Sequence, residues 1–335
     1  MTELSSPLLI ARNLTRNFGR GGPLLGSRRV VKAVNDVSFH LGRGETLGLV
    51  GESGSGKSTT GRLALGLLRP SAGEVRFDGA DILSLAGAAW RRSRRDMQMI
   101  FQDPGGALDE RMTIGEQIAE VLAVHDLAPR TERQERTQTM LARVGLGVAG
   151  LDRRFPHELS GGQRQRAVIA RALAMRPKLV VCDEPVSALD VSVQAQVVNL
   201  LIELQQEHCL SYLFISHDLR VVAHVSHRIA VMYLGRIVEL ADRQELLGTP
   251  LHPYTEALIA SVPIVAHRAS AMNRRPGVAG ELPDPVNPPS GCAYRIRCPL
   301  AREICIQLVP VLVEAAPGHQ VACHFVGPSG TRHIA

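Results

Sequence analysis

The octapeptide Gly51-Glu-Ser-Gly-Ser-Gly-Lys57-Ser58 fits G-x-x-x-x-G-K-[S/T] and restricts the fold more than any other stretch of the chain. A short apolar run from Glu45 to Val50 precedes it and reads as a buried strand. Thr59 to Leu68 follows, with apolar residues at helical spacing. Strand, glycine loop and helix are the context in which this pattern cradles phosphate. Glycines let the main chain wrap closely around an anion, since a Cβ would block the conformation. The loop N–H groups and the helix N-terminus then face the charge. The expected cradle is Gly51, Ser53, Gly54, Ser55, Gly56, Lys57, Ser58 and Thr59. In it Lys57 reaches the β- and γ-phosphates and Ser58 holds Mg²⁺.

Length and charge narrow the partners. At 335 residues the chain can bury a substantial core in one large domain or two. Its net charge of +6 suits an acidic partner: a nucleotide, a nucleic acid or a membrane surface. The densest basic cluster, Arg91-Arg92-Ser93-Arg94-Arg95, reads as a solvated helix face because no aromatics interleave it. The start, Met1-Thr-Glu-Leu-Ser-Ser, lacks the basic and apolar regions of a secretory signal. No uncharged apolar run approaches the ~20 residues needed to span a bilayer. A cytoplasmic location is expected. Four of the six cysteines fall in the last 44 residues, which in a reducing compartment favours a metal site over disulfides.

In chain order, residues 8–18 read as an edge strand and Gly19 to Arg29 as an exposed loop. Val30 to Leu41 reads as a strand pair broken at Asn35-Asp36. Ala72 to Gly79 is a strand ending in an Asp-Gly turn. Trp90 to Arg95 is helical, and Met97 to Phe101 is a strand ending at Gln102. Residues 113–145 carry charged helical periodicity without strand signal and read as a helical insertion. Further helices are expected over Ser160–Ala174 and Val193–Gln206, and buried strands over Leu179–Cys182, Tyr212–Ser216 and Ile229–Leu234. This alternation predicts an α/β fold with a mostly parallel sheet covered by helices. Composition shifts near residue 265, and five prolines in 276–290 mark a linker. No internal repeat is visible.

Three further stretches carry chemistry. Leu179-Val-Val-Cys-Asp183-Glu184 is an apolar strand ending in two carboxylates. Asp183 suits Mg²⁺, and Glu184 is placed to activate water against the γ-phosphate as general base. Leu159-Ser160-Gly161-Gly162-Gln163 opens a helix and forms a second anion site. One triphosphate does not need two such sites on one chain, so the second is expected to reach a nucleotide on another chain. Phe214-Ile-Ser-His217-Asp218 places a histidine after an apolar strand.

Together these stretches resemble the ATP-binding subunits of ABC transporters. The phosphate loop, Gln102, Leu159 to Gln163, Asp183-Glu184, Ser187-Ala-Leu-Asp190 and His217 stand in that family's order and spacing. The resemblance implies a P-loop NTPase of the ABC ATPase type with an antiparallel β edge and a helical subdomain at about 88–175. It implies an ATPase domain over 1–265 and a cysteine-rich extension over 266–335. Phe18 resembles the aromatic that stacks on adenine, although a core aromatic would look the same. Gln102 resembles the residue that senses Mg²⁺ and the attacking water and links the site to the membrane partner. His217 resembles the γ-phosphate switch, and Asp190 the residue that couples two sites across a dimer. Ser160, Gly161, Gly162 and Gln163 would close on the nucleotide of the opposite chain. The implied catalytic set is Glu184, His217, Lys57 and Gln102, with Ser58, Gln102 and Asp183 around Mg²⁺.

His252-Pro-Tyr-Thr-Glu-Ala-Leu258 and the stretch from Gly280-Glu-Leu-Pro283 to Pro288-Pro-Ser-Gly-Cys292 narrow the resemblance to dipeptide, oligopeptide and nickel importers. It is closest to the second ATPase subunit of a peptide importer. That implies a second ATPase subunit as heterodimer partner, two membrane permease subunits, and an external peptide-binding protein that delivers cargo. The expected place is peripheral, at the cytoplasmic face of the inner membrane, with no nucleic acid bound. Nickel or glutathione are alternative cargoes. A soluble ABC ATPase acting on nucleic acid or ribosomes is the rival function; it usually carries tandem units or a long coiled-coil insertion, which this chain lacks. Gly105-Gly-Ala-Leu-Asp-Glu110 departs from the family pattern in a loop that abuts the membrane subunit there.

Cys292, Cys298, Cys305 and Cys323 are separated by five, six and seventeen residues, unlike the paired spacing of a zinc ribbon. Four thiolates at this spacing can hold a metal or an iron–sulfur cluster. The resemblance implies a 4Fe-4S cluster in a structural role; zinc is the runner-up, and free or reversibly oxidised thiols also remain open. Cys182 and Cys209 read as buried apolar residues.

Overall fold

The computed structural model of the chain describes residues 6–20, 29–261 and 283–327. Most of the loop expected over Gly19–Arg29 and most of the linker after residue 265, including Gly280 to Leu282, lie outside the described residues. The strands run β1 (Leu9–Arg20), β2 (Arg29–Leu41), β3 (Thr46–Val50), β4 (Ala72–Phe77), β5 (Ala80–Asp81), β6 (Met97–Ile100), β7 (Leu179–Asp183), β8 (Ser211–Ser216), β9 (Arg228–Tyr233), β10 (Arg236–Asp242), β11 (Val313–Ala316) and β12 (His319–Val321). The chain divides into two compact units.

One unit takes in Met1–Leu8, Leu41–Thr46 and Ser84–Ile215. Its strands β8, β7 and β6 are parallel neighbours. β7 and β8 are buried at every position because parallel strands are covered on both faces. Helix Ile114–Val124 begins with a full capping box: Thr113 and Glu116 exchange hydrogen bonds. Helices Arg133–Arg143 and Gly161–Leu173 complete the helical part expected from the periodicity. Helix Gly87–Asp96 buries none of its residues, so its arginines are a solvated face. In the departure loop, Asp103 accepts hydrogen bonds from the N–H groups of Gly105 and Gly106, and buried Gln117 bonds to Asp109 and Met112.

The other unit takes in Leu9–His40, Leu47–Leu83 and Ser216–Ala335. It holds a four-stranded sheet in the order β2-β1-β4-β5 and a second set in the order β11-β12-β10-β9-β3. β3 and β9 are parallel; β9, β10, β12 and β11 pair antiparallel. β1 lies between β2 and β4, so it is not the edge strand expected. Nor is Val30–Leu41 a strand pair. Asp36 takes a left-handed φ of 60° within one strand, where its side chain accepts from Asn13 Nδ2 at 2.8 Å and its N–H donates to Thr15 Oγ1 at 3.2 Å. These bonds absorb the Asn-Asp signal as a kink rather than a turn. Strands β10, β11 and β12 were not anticipated; Leu234 and Gly235, both with positive φ, turn β9 into β10. Among the described residues no helix is long and apolar enough to cross a membrane.

Candidate nucleotide site and cysteine cluster

β3 is buried at all five positions and delivers the chain into the glycine loop. A Cβ on Gly51 would lie 2.2 Å from the Met232 carbonyl oxygen, and one on Gly56 would lie 2.2 Å from that of Ala33. The loop is therefore pressed against neighbouring main chain that cannot yield. Gly56 has φ 102° and precedes helix Lys57–Ala64 without offering a side-chain cap. This leaves an uncapped helix N-terminus, the feature that attracts phosphate. Lys57 is buried, and its Nζ donates to the carbonyl oxygens of Gly51 at 2.8 Å and Glu52 at 2.9 Å. The loop's own carbonyls thus fix the lysine head. Ser55 is fully buried, and its Oγ has no hydrogen-bond partner among the described residues.

At the end of β7, Asp183 is buried and Glu184 takes a left-handed φ of 48°. A non-glycine residue keeps such a conformation only when its surroundings enforce it. Here Glu184 N–H donates to Ile215 O at 2.9 Å, and its carbonyl accepts from Ser187 Oγ at 3.1 Å. The turn aims the side chain at Gln102, whose Nε2 donates to Glu184 Oε2 at 3.1 Å. Two residues 82 positions apart in sequence are thereby brought together. Cys182, one step earlier, is a buried core residue whose thiol pKa is pushed up by burial and then by Asp183. Cys209, expected to be buried, is exposed at the left-handed C-cap of helix Val191–His208.

Ser160 caps helix Gly161–Leu173. Its Oγ accepts from Gln163 N at 3.3 Å, and Gln163 Oε1 accepts from Ser160 N at 3.0 Å. Ser160 and Gly161 are exposed. A Cβ on Gly162 would meet Val193 Cγ1 at 2.6 Å, so that glycine permits close packing on helix Val191–His208. Asp190 is exposed and caps that helix, accepting from Val193 N and Ser192 Oγ; these bonds, Val193 first, hold its carboxyl below the usual range. Phe18 is 41% exposed, with the Arg16 guanidinium 4.8 Å from its ring centroid, so it is not a core aromatic. His217 is exposed just before Asp218, the N-cap of helix Leu219–Val225.

The cysteines gather in one corner of their unit. Gly291 has φ 64°, and a Cβ there would fall 2.3 Å from Cys305 O, so glycine allows the two segments to touch. Cys292 N–H donates to Cys305 O at 2.8 Å. Burial, and then the charges of the other three cysteines, push the Cys298 thiol up to about 11; Cys292 is also raised, by burial first. Among the described residues none of the four forms a disulfide. Among the described residues no three His, Cys, Asp or Glu side chains form a group placed to hold a metal ion.

Sequence reasoning missed the ring of residues behind the phosphate loop. Tyr254 OH accepts from Glu52 N at 3.0 Å, and Arg297 Nη1 donates to Glu52 Oε2 at 3.0 Å. His252-Pro-Tyr254 and the cysteine loop each carried a signal, but nothing in the sequence ties either to Glu52.

Comparison with known proteins agrees with this architecture. Residues 34–187 match the ABC transporter family model, and residues 238–305 match the oligopeptide/dipeptide transporter C-terminal region. The oligopeptide transport ATP-binding protein AppF of Bacillus subtilis (strain 168) is 54% identical over 298 residues, 88% of this chain and 90% of that protein. The oligopeptide transport ATP-binding protein OppF of Salmonella typhimurium is 52% identical over 301 residues, 90% of each chain. A bacterial ABC transporter cassette solved as a dimer superposes with TM-score 0.63 at 28% identity, covering 70% of this chain and 98% of its own. The chain belongs to the ABC transporter ATP-binding proteins, in the branch that carries the oligopeptide/dipeptide transporter C-terminal region, and is an ABC-type ATPase with the P-loop fold.

Proposed function

We propose that this chain is the ATP-hydrolysing subunit that powers import of peptides across the cytoplasmic membrane as part of an ABC transporter. The observation that carries the reading is the Gln102–Glu184 bond at the end of β7, in a chain half identical to oligopeptide transport proteins over most of its length. ATP lies on Gly51 to Thr59, with Phe18 against the base and Lys57 on the β- and γ-phosphates. Ser58, Asp183 and Gln102 would hold Mg²⁺, which would offset charge on the phosphates. Glu184 is the general base and takes a proton from the attacking water; His217 contacts the γ-phosphate. Ser160 to Gln163 close on the nucleotide of a partner ATPase subunit, and Asp190 couples the two sites. Two permease subunits hold the pair at the cytoplasmic face. Relatives named for peptide and oligopeptide transport favour peptide over nickel or glutathione as cargo. Residues 1–265 are taken as the ATPase domain, 88–175 as its helical subdomain and 266–335 as the extension.

The four cysteines are proposed to hold a 4Fe-4S cluster. The donor type suits a soft metal: four cysteines that form no disulfide among the described residues share one neighbourhood, and a cation would relieve the repulsion between their thiolates. Bound there, the cluster would join the segments at Cys292–Cys298, Cys305 and Cys323. Iron and sulfide analysis of anaerobically purified protein tests this; stoichiometric zinc would replace it.

Glu184→Gln tests the catalytic reading. The variant binds ATP, releases no phosphate, and accumulates as an ATP-bound dimer. Persistent turnover would remove Glu184 as base. In cells the same variant abolishes uptake of a labelled peptide, and unimpaired uptake would remove the transport reading.

A further inference from the structure

Glu52 is held at three points. Its N–H donates to Tyr254 OH at 3.0 Å, its carbonyl accepts from Lys57 Nζ at 2.9 Å, and its Oε2 accepts from Arg297 at 3.0 Å. The Arg297 side chain is 5% exposed, and the residue stands one before Cys298. Its Nη1 also donates to Tyr233 OH at 3.4 Å, and the guanidinium lies 5.9 Å from that ring's centroid. Burial works against the Arg297 charge, and the bonds to Glu52 and Tyr233 outweigh it, leaving its pKa raised. Tyr294, three residues earlier, is buried and packs with its ring centroid 5.3 Å from both Tyr233 and Tyr254. The backbone of the loop closes on itself, Arg297 N to Tyr294 O at 3.0 Å and Arg295 N to Cys292 O at 3.1 Å. Arg297 therefore has a fixed origin in the cysteine loop and a fixed target in the phosphate loop.

The other carboxylate oxygen, Glu52 Oε1, is buried and has no hydrogen-bond partner among the described residues. The Glu52 side chain is 26% exposed, and with one oxygen buried and unsatisfied it is held in this pose by its counter-charge, since a partly desolvated charge left uncompensated is unfavourable. Were Arg297 removed, Glu52 would turn toward water. Its peptide carbonyl, one of the acceptors that fixes the Lys57 head, would turn with it.

We propose that Arg297 is a positioning residue for the phosphate loop: through Glu52 it sets the orientation of Lys57, so the cysteine-bearing extension sets the ATPase's affinity for nucleotide. The inference rests on the proposed ATP site and assigns the extension a role in it.

Equilibrium binding of a fluorescent ATP analogue to the full-length chain tests the proposal, together with KM and kcat for ATP. Arg297→Gln weakens binding and raises KM by ~10-fold, since small displacements of a positioning group cost this much or more, while kcat changes less than threefold. Arg297→Lys restores part of the affinity. Glu52→Gln weakens binding similarly, and the Glu52→Gln/Arg297→Gln double variant is no weaker than the worse single, as expected of coupled neighbours. Tyr254→Phe keeps the packing, removes one hydroxyl, and weakens binding by ~3-fold. Its smaller change keeps the test open should Arg297→Gln fail to fold. A folded Arg297→Gln with native affinity, or strict additivity in the double variant, overturns the proposal. Lys57→Ala separates the two levels. If it binds nucleotide normally, the ATP-site reading falls and this inference with it. If it does not bind while Arg297→Gln does, this inference alone falls.

Discussion

Two turns rich in glycine and serine open helices in this molecule, and they are built in opposite ways. In the loop from Gly51 to Lys57 the glycines are required by the surroundings: added Cβ atoms on Gly51 and Gly56 would run into main-chain oxygens. The helix that follows has no side-chain cap. In the turn from Ser160 to Gln163 neither glycine has a positive φ; a Cβ on Gly161 would meet Leu189 at an ordinary 3.7 Å, and one on Gly162 would press on the Val193 side chain at 2.6 Å rather than on main chain. That helix is fully capped by its own Ser160 and Gln163. The first turn leaves its donors to an anion and depends on the surrounding fold for shape. The second satisfies itself and stands exposed. A cradle needs the former construction; a surface offered to another chain needs the latter.

The largest effect that can break this contrast is at Lys57. Its head is fixed by Gly51 and Glu52 carbonyls, and Lys57→Ala removes the positive charge they hold in the cradle. Phosphate release falls by ~100- to 1000-fold, the scale seen when one preorganised donor is lost. A loss below tenfold would mean that the loop is not the working cradle.

The next effect compares glycines. Gly51→Ala forces main chain against main chain and costs about 1–3 kcal/mol, read as a lowered melting temperature. Gly161→Ala changes stability by less than about 0.5 kcal/mol, as expected of an exposed surface site. On the proposed reading its cost appears in hydrolysis by the assembled pair of ATPase subunits, with binding by the single chain intact. Equal destabilisation by both substitutions would erase the distinction.

The sequence made the phosphate loop legible because its constraint is local: strand, glycines, lysine and helix are contiguous. Glu184 was legible for the same reason, as the end of an apolar strand. What joins it to Gln102 was not, since the two stand 82 residues apart and lie just beyond the ends of the paired strands β6 and β7. The edge assignment of β1 failed because the alternation of a half-buried strand looks the same whether one or two neighbours pair with it. The Asn35-Asp36 turn failed because a left-handed aspartate was satisfied across the sheet by Asn13 and Thr15. The Arg297–Glu52 pair spans 245 residues and has no pattern at all in the sequence. Such contacts follow from where β10 and the cysteine loop are set down, and neither announces its position.

The smallest effect is also the most discriminating. Ser160 is doing two things on the proposed reading: capping its own helix, and facing the γ-phosphate held by a partner. Ser160→Ala removes the cap and costs about 1 kcal/mol. Any loss of hydrolysis in that variant is therefore ambiguous. Ser160→Asp resolves it. Aspartate is as good a cap as serine and adds a favourable charge at the helix N-terminus, so stability returns to the native level. The same carboxylate would face a triphosphate across the interface, where like charges repel. Native melting temperature with native nucleotide binding by the single chain, yet suppressed hydrolysis in the assembled complex, is the expected result. If Ser160→Asp hydrolyses ATP as fast as the native protein, the turn is a helix cap and nothing more, and the contrast between cradle and lid is lost.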